Sequence, residues 1–309
     1  MSMTPTAQRH HGLNLRRDPR QSDERLEGGP PKQTQDWPGS DAELKPQADH
    51  GEESYQGGNK LAGLQALVTG GDSGIGRAIA IAFAREGADV AITYVGGAEK
   101  RDAEQTLRWV EHAGVRGLAI GTELRDRENC RSAVERTVAE FGGLNILVNN
   151  AAFHVETRDF RDISPEQLDD TFRTNIYAYF WMAQEAVKHM RAGDAIINTG
   201  SVVAMKPSPR LSDYAATKAA DVNLTKNMAA SLAPEGIRVN CVAPGPVWTP
   251  LIAATRYEEV VGGFGGTTYW ERPAQPIEIA TSFVFLASTD ARYFTGEVLS
   301  PSGYPFTTR

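Results

Sequence analysis

From Leu61 onward the chain alternates short unbroken apolar runs with longer stretches in which apolar residues recur every three or four positions. The unbroken runs are LQALVT, ADVAITY, RGLAIG, LNILVNN, DAIINTG and IRVNCVA. Runs of this kind suit strands covered on both faces, as in a parallel sheet sandwiched between helices. Between the first two, Ile75, Ile79, Ala82 and Phe83 form a helical stripe that Gly87 closes as a C-terminal cap. Further helices are expected near 98–113, 126–141, 165–190 and 213–233. Ser164, Pro165 and Gln167 mark one start: a capping hydroxyl, a proline at the first helical position and an amide three residues after the cap. The repeated alternation predicts an α/β fold, a single Rossmann-like, doubly wound parallel sheet with right-handed crossovers and helices on both faces.

The first sixty residues break this rhythm. They hold six of the seventeen prolines, charges of both signs and no periodic apolar run, so they cannot bury enough surface to fold alone. Residues 1–60 are therefore expected as a proline-rich extension, extended or disordered, ahead of one domain over 61–309. The extension is either a solvated tail or an arm lying over its own or a neighbouring subunit, with Trp37 and Tyr55 as anchors.

Composition narrows the function. A net charge of −7 and a pI near 5.5 disfavour a nucleic-acid surface. No apolar signal region opens the chain and no run approaches membrane-spanning length. Cys130 and Cys241 stand without metal-ligand or redox spacing, which points to reduced thiols, no metal site and a cytoplasmic location.

The stretch TGGDSGIGRA, Thr69 to Ala78, follows the first strand. Read as a P-loop it fails, because Arg77 and Ala78 replace the phosphate-binding lysine and the hydroxyl for Mg²⁺. Read from Gly74 as the usual dinucleotide fingerprint it lacks the last glycine, Ile79 standing there. A third register, T-G-x-x-x-G-x-G through Thr69, Gly70, Gly74 and Gly76, still puts glycines where backbone must approach a pyrophosphate at a helix N-terminus.

Reaction chemistry points to INTGS and DYAATKAA. Ser201 follows a strand, at the carboxyl end of the sheet where open α/β folds bind ligands, and Tyr214 and Lys218 share one helix face. A tyrosine of ordinary pKa about 10 is a poor proton carrier near neutrality unless its phenolate is stabilised. Lys218 at about 4 Å would supply roughly 4 kcal/mol at an effective dielectric of about 20. Ser201 could hold the substrate oxygen while charge develops there.

Together these segments resemble the short-chain dehydrogenase/reductase family over roughly Leu61 to Gly303, and the resemblance settles the glycine register. It is closer still to a long bacterial, glucose-dehydrogenase-like subgroup with a comparable N-terminal extension, on LSDYAATKAA and IRVNCVAPGPVWT. The resemblance implies NAD(P)-dependent oxidoreduction of an alcohol or carbonyl substrate by Ser201, Tyr214 and Lys218, with Asn175 as a fourth catalytic position supporting a water relay. It implies cofactor contacts from Gly70, Asp72, Ser73, Gly74, Ile75 and Gly76 in the first turn, and from Tyr94, Thr122 and Leu124 after the next two strands. Asn150, Ala151 and Ala152, Tyr214 and Lys218 themselves, and Pro244, Gly245, Val247 and Thr249 complete that set. A homotetramer or homodimer is also implied, with the 165–190 helix and the helix carrying Tyr214 as contact surfaces.

Three departures stand out: Asn149-Asn150-Ala151-Ala152 replaces N-N-A-G, GTELRD leaves Thr122 or Glu123 in place of an aspartate near adenine, and the chain ends SPSGYPFTTR without a glycine pair. The choice of NAD or NADP stays open, since no acid ends the second strand and Lys100 and Arg101 read as a solvated helix start. Residues 250–272, with glycine pairs around Phe264, are either a lid or a surface excursion. His154 is unassigned, Trp248 lines the pocket or packs beneath it, and Trp181 and Phe180 are expected in the core. A dinucleotide-binding redox sensor without turnover is the alternative from another class; within enzymes, enoyl, imine, steroid-like or polyol substrates stay open.

Overall fold

The computed structural model describes residues 18–20, 26 and 28–304. The parts of the expected extension at 1–17, 21–25 and 27, and the last five residues, lie outside the described residues. Seven parallel strands form one sheet in the order β3-β2-β1-β4-β5-β6-β7. They are β1 (Gln65–Val68), β2 (Asp89–Tyr94), β3 (Gly117–Gly121), β4 (Ile146–Asn149), β5 (Ala195–Thr199), β6 (Arg238–Val242) and β7 (Val298–Leu299). The order reverses between β1 and β4, and the crevice at that switch point is where ligands of open α/β sheets bind.

Helices cover both faces: α1 (Gly74–Arg85), α2 (Lys100–His112), α3 (Arg127–Phe141), α4 (Pro165–Phe172), α5 (Ala178–Ala186), α6 (Ser212–Leu232), α7 (Pro250–Thr255), α8 (Glu258–Val261) and α9 (Pro276–Ala287). On one face Ile79 and Phe83 of α1 meet Phe283 of α9 over Val68 and Val90. On the other, Val134 of α3, Met182 of α5 and Ala229 of α6 pack over Leu67, Leu147 and Ile196. Side chains on successive strand positions thus feed opposite cores, which is why the strands read as unbroken apolar runs. Asp126 caps α3 by accepting the amides of Glu128 and Asn129, and Gly142 closes it in the left-handed conformation at φ 82°.

The expected 165–190 helix is two helices. Ser164 caps α4 as the sequence suggests, its hydroxyl accepting the Gln167 amide, but a π-turn at Arg173–Tyr177 separates α4 from α5, which ends at Ala186. Phe180 also departs from expectation: it is 46% exposed instead of buried, because the π-turn shifts which side of α5 faces the sheet. Trp181 is half-buried against the second core.

Residues 28–60 run along the domain with little regular structure. Leu26 and Leu44 are buried with Trp248, Ala253 and Val261 in a third apolar cluster. Trp248 is fully buried, and its indole N–H donates to the Pro46 carbonyl at 2.8 Å; it packs beneath the site instead of lining it. Farther along, the buried Asp41 and His50 form a charge network with Glu52 and with Arg77 of α1. The Tyr55 hydroxyl donates to Glu86, whereas Trp37 is half-exposed.

Candidate active site

One cavity of about 420 Å³ opens at the switch point. Its floor is the β1–α1 turn, where Gly70, Asp72, Ser73, Gly74 and Ile75 line it. Gly70 (φ 60°) and Gly74 (φ 51°) are left-handed, a conformation that suits glycine. Gly76 does not line the cavity. It turns inward, where a Cβ would lie 1.9 Å from the Gly70 carbonyl oxygen and 2.6 Å from Asn150 Nδ2. Its missing side chain therefore serves turn packing.

Each neighbouring strand end adds a wall. Tyr94, Thr122, Glu123 and Leu124 come from β2 and β3, and Asn150, Ala151 and Ala152 from β4. Pro244, Gly245, Val247 and Thr249 follow β6. Asn150 is held by Thr69, whose hydroxyl accepts its amide at 2.8 Å while the Asn150 side chain donates to the Thr69 and Gly70 carbonyls. Glu99, which the sequence reading did not single out, also lines the cavity; its carboxylate accepts the Val95 amide at 2.5 Å. Burial and the neighbouring Glu99 push the Asp72 carboxyl well above the usual carboxylate range. Lys100 and Arg101 are exposed at the start of α2 and do not line the cavity.

Ser201, Tyr214 and Lys218 converge on the same cavity. Ser201 follows β5, and its hydroxyl accepts the Val203 amide at 3.3 Å. Tyr214 and Lys218 lie on one side of α6, with the lysine ammonium 5.5 Å from the tyrosine ring centroid. That ammonium is fully committed: it donates to the Thr199 carbonyl at 2.8 Å, to Asp221 at 3.0 Å and to the Tyr179 hydroxyl at 3.5 Å. Asp221 was not anticipated from the sequence; it pairs with Lys218 inside the protein. Burial pushes the Asp221 carboxyl up to about 7 even with Lys218 beside it. Burial opposes charge on Lys218 too, but Asp221 and the two tyrosines hold it above its ordinary value.

Asn175 sits at the π-turn, fully buried and off the cavity wall. Its side chain accepts the Phe153 amide at 2.8 Å, donates to the Phe153 carbonyl at 2.9 Å and donates to Thr217 at 3.1 Å. It therefore ties the segment after β4 to α6. Next to Phe153, His154 lines the cavity with its ring 4.9 Å from that of Tyr214. Burial, then the charges of Arg256 and Lys218, lower its pKa to about 3, so it stays neutral. Phe264 lines the cavity, so part of the 250–272 segment stands against it.

A family model described as enoyl-(acyl carrier protein) reductase matches residues 70–303. The glucose and ribitol dehydrogenase of Daucus carota is 47% identical over 278 residues, covering 89% of this chain and 96% of that protein. The chain belongs to the short-chain dehydrogenase/reductase family. A short-chain dehydrogenase from Burkholderia cenocepacia J2315 in complex with NADP superposes with a TM-score of 0.74 at 35% identity, over 79% of this chain and 98% of that one. One from Mycobacterium paratuberculosis bound to NAD does so at 0.72 and 31%, over the same shares. As a short-chain dehydrogenase/reductase the protein is an oxidoreductase, and this fold accommodates both nicotinamide dinucleotides in those neighbours. No helix among the described residues is long and apolar enough to cross a membrane.

The residues that sequence reasoning missed had weak signals. Asp221 lies three positions after Lys218 on the same helix, a spacing that brings side chains together. Glu99 reaches back to the end of β2 from a short turn, and nothing in its local sequence marks that reach.

Proposed function

We propose that the protein is a nicotinamide-dependent dehydrogenase/reductase acting on an alcohol or carbonyl group. The observation that carries this reading is the meeting of Ser201, Tyr214 and Lys218 at the end of a cavity whose other end is a glycine turn at a helix N-terminus. That turn fits a dinucleotide: at Gly74 even a Cβ would come within 3.0 Å of Thr249, and the first-turn amides of α1 have no acceptors within the helix, that of Gly74 donating to Asp41. NAD or NADP would lie from Tyr94 and Thr122 across the turn to Val247 and Thr249. When bound, the nicotinamide supplies or accepts the hydride.

Everything else falls to the chain. Ser201 donates to the substrate oxygen, where negative charge develops. Tyr214 gives a proton to that oxygen in reduction and takes it back in oxidation. Lys218, fixed by Asp221 and the Thr199 carbonyl, presents a positive charge beside the tyrosine, and Asn175 holds the Phe153 segment against α6. His154, neutral beside the Tyr214 ring, excludes water without competing for the proton. The substrate is a small alcohol or carbonyl compound, and the acid surface needs neither nucleic acid nor membrane. A cytoplasmic homotetramer or homodimer fits the exposed Tyr177 and Phe180 near the start of α5.

The test is a nicotinamide-fluorescence titration with NADH and NADPH, followed by an absorbance assay against sugars, polyols, aldehydes and ketones. Cofactor binding with turnover of at least one substrate is expected. Binding without turnover across the panel would favour a redox sensor and overturn the enzymatic reading.

A further inference from the structure

The family match begins at residue 70 and the solved neighbours cover 79% of the chain. The cavity nevertheless has a wall made by residues before that point. Trp37 and Pro38 line it. Trp37 is 50% exposed, and its ring stands edge to face with that of Phe153, centroids 5.1 Å apart at 83°.

This segment is built into the domain. The Gln35 amide donates to the Ala253 carbonyl of α7 at 3.0 Å. The Gln35 side chain in turn accepts the Ser40 amide at 2.7 Å, closing a loop around Trp37. Gly39, left-handed at φ 87°, passes so close to α7 that a Cβ would lie 3.0 Å from Pro250. Two residues on, Asp41 accepts the Gly74 amide at 3.1 Å and donates its own amide to Asp102 at 3.2 Å. The loop is thus tied on one side to α7 and on the other to the first turn of α1. Between those ties Trp37 faces the cavity on the side of the segment after β4, where the next residue, His154, packs on Tyr214.

We propose that Trp37 is a substrate-specificity residue: with Phe153 it forms an aromatic wall at the reacting end of the cavity that selects carbonyl compounds with an apolar or aromatic body over free sugars. The inference rests on the function proposed above. Three further observations carry it. A large, half-exposed aromatic side chain gains little where it stands, whereas a ring or alkyl chain laid on it would bury its face. The neighbouring wall carries the apolar side chains of Leu251 and Ile252 of α7 and of Phe264, and Arg256, which also lines it, is paired with Glu156 at 3.3 Å. His154, whose ring packs on Tyr214, has both ring nitrogens buried and without a partner among the described residues, so it presents no exposed nitrogen to the hydroxyl groups of a sugar at the cavity surface.

The experiment compares the full chain with Trp37→Ala and Trp37→Phe. Benzaldehyde probes the wall, and glyceraldehyde, which has no apolar body to lay on it, is the control. Truncating an aromatic contact of this size is expected to raise the benzaldehyde KM roughly tenfold. The glyceraldehyde KM, the kcat on each and the NADH dissociation constant should stay unchanged, and Trp37→Phe should recover most of the loss. Equal KM changes for both aldehydes, no change for either, or wild-type preference for glucose or ribitol over benzaldehyde would overturn the assignment. Equilibrium binding of benzyl alcohol, followed by nicotinamide fluorescence of the NADH complex, separates the two layers. Weaker binding in Trp37→Ala in a protein that turns over no member of the panel above would sustain the wall while refuting the enzymatic reading; unchanged binding would refute the wall itself.

Discussion

His50 offers a quantitative check on how the N-terminal segment is held. It is 3% exposed, with Nε2 3.1 Å from Asp41 and Nδ1 3.3 Å from Glu52. The other charges facing this cluster are Arg77 of α1, 3.6 Å from Asp41 and 3.5 Å from Glu52, and Asp102 of α2 beneath the Asp41 amide. Burial opposes protonation of His50, but the two carboxylates outweigh it and raise its pKa from 6.5 to about 9. A raised pKa means that the folded state keeps a proton the unfolded state releases. The stabilisation is complete below pH 6.5 and is lost as pH rises through about 9. At 1.36 kcal/mol per pH unit, that window holds about 3 kcal/mol. Urea denaturation of wild type and His50→Gln at pH 6 and pH 9.5 measures it. Wild type should lose about 3 kcal/mol more than the variant between the two pH values. Groups that titrate in both proteins, Asp221 among them, cancel in that difference. If both proteins lose the same amount, His50 is not a buried cation and the electrostatic account of the docked segment is wrong.

Two further outcomes follow from packing. Gly76→Ala forces a methyl group onto the Gly70 carbonyl and Asn150, and should cost about 1–3 kcal/mol or more; a thermal melt matching wild type would show that the turn has room. Trp248→Phe leaves the Pro46 carbonyl without its buried donor, a loss of about 1–3 kcal/mol. Trypsin should then cut faster after Lys32 and Lys60 than in wild type, and an unchanged digestion rate would mean that this hydrogen bond does not hold the segment.

The regular part of the fold was legible because each central strand is buried on both faces and each helix carries its own stripe. Ser201, Tyr214 and Lys218 were legible for the same reason, since a strand end and a helix face fix where they meet. β7 was not, because Val298 and Leu299 are only two residues and half-buried, too short for any pattern. The π-turn was hidden because no glycine or proline interrupts Arg173–Tyr177. Residues 28–60 gave no periodicity because they dock through single side chains such as Leu44 and through backbone groups such as the Pro46 carbonyl. Trp37 accordingly read as an anchor, whereas Leu26 and Leu44 are the buried ones and Trp37 faces the cavity. Asp221 shows the limit from the other side: helical spacing makes contact with Lys218 possible, but only burial of both makes the pair matter.

The central claim is that Tyr214 moves the proton while the rest of the site binds. Its most direct test is pre-steady-state nicotinamide absorbance in Tyr214→Phe, beside a fluorescence titration of the same preparation. The account predicts an unchanged NADH or NADPH dissociation constant and hydride transfer slowed by at least about a hundredfold. Hydride transfer at the wild-type rate in a variant that binds cofactor normally would contradict it.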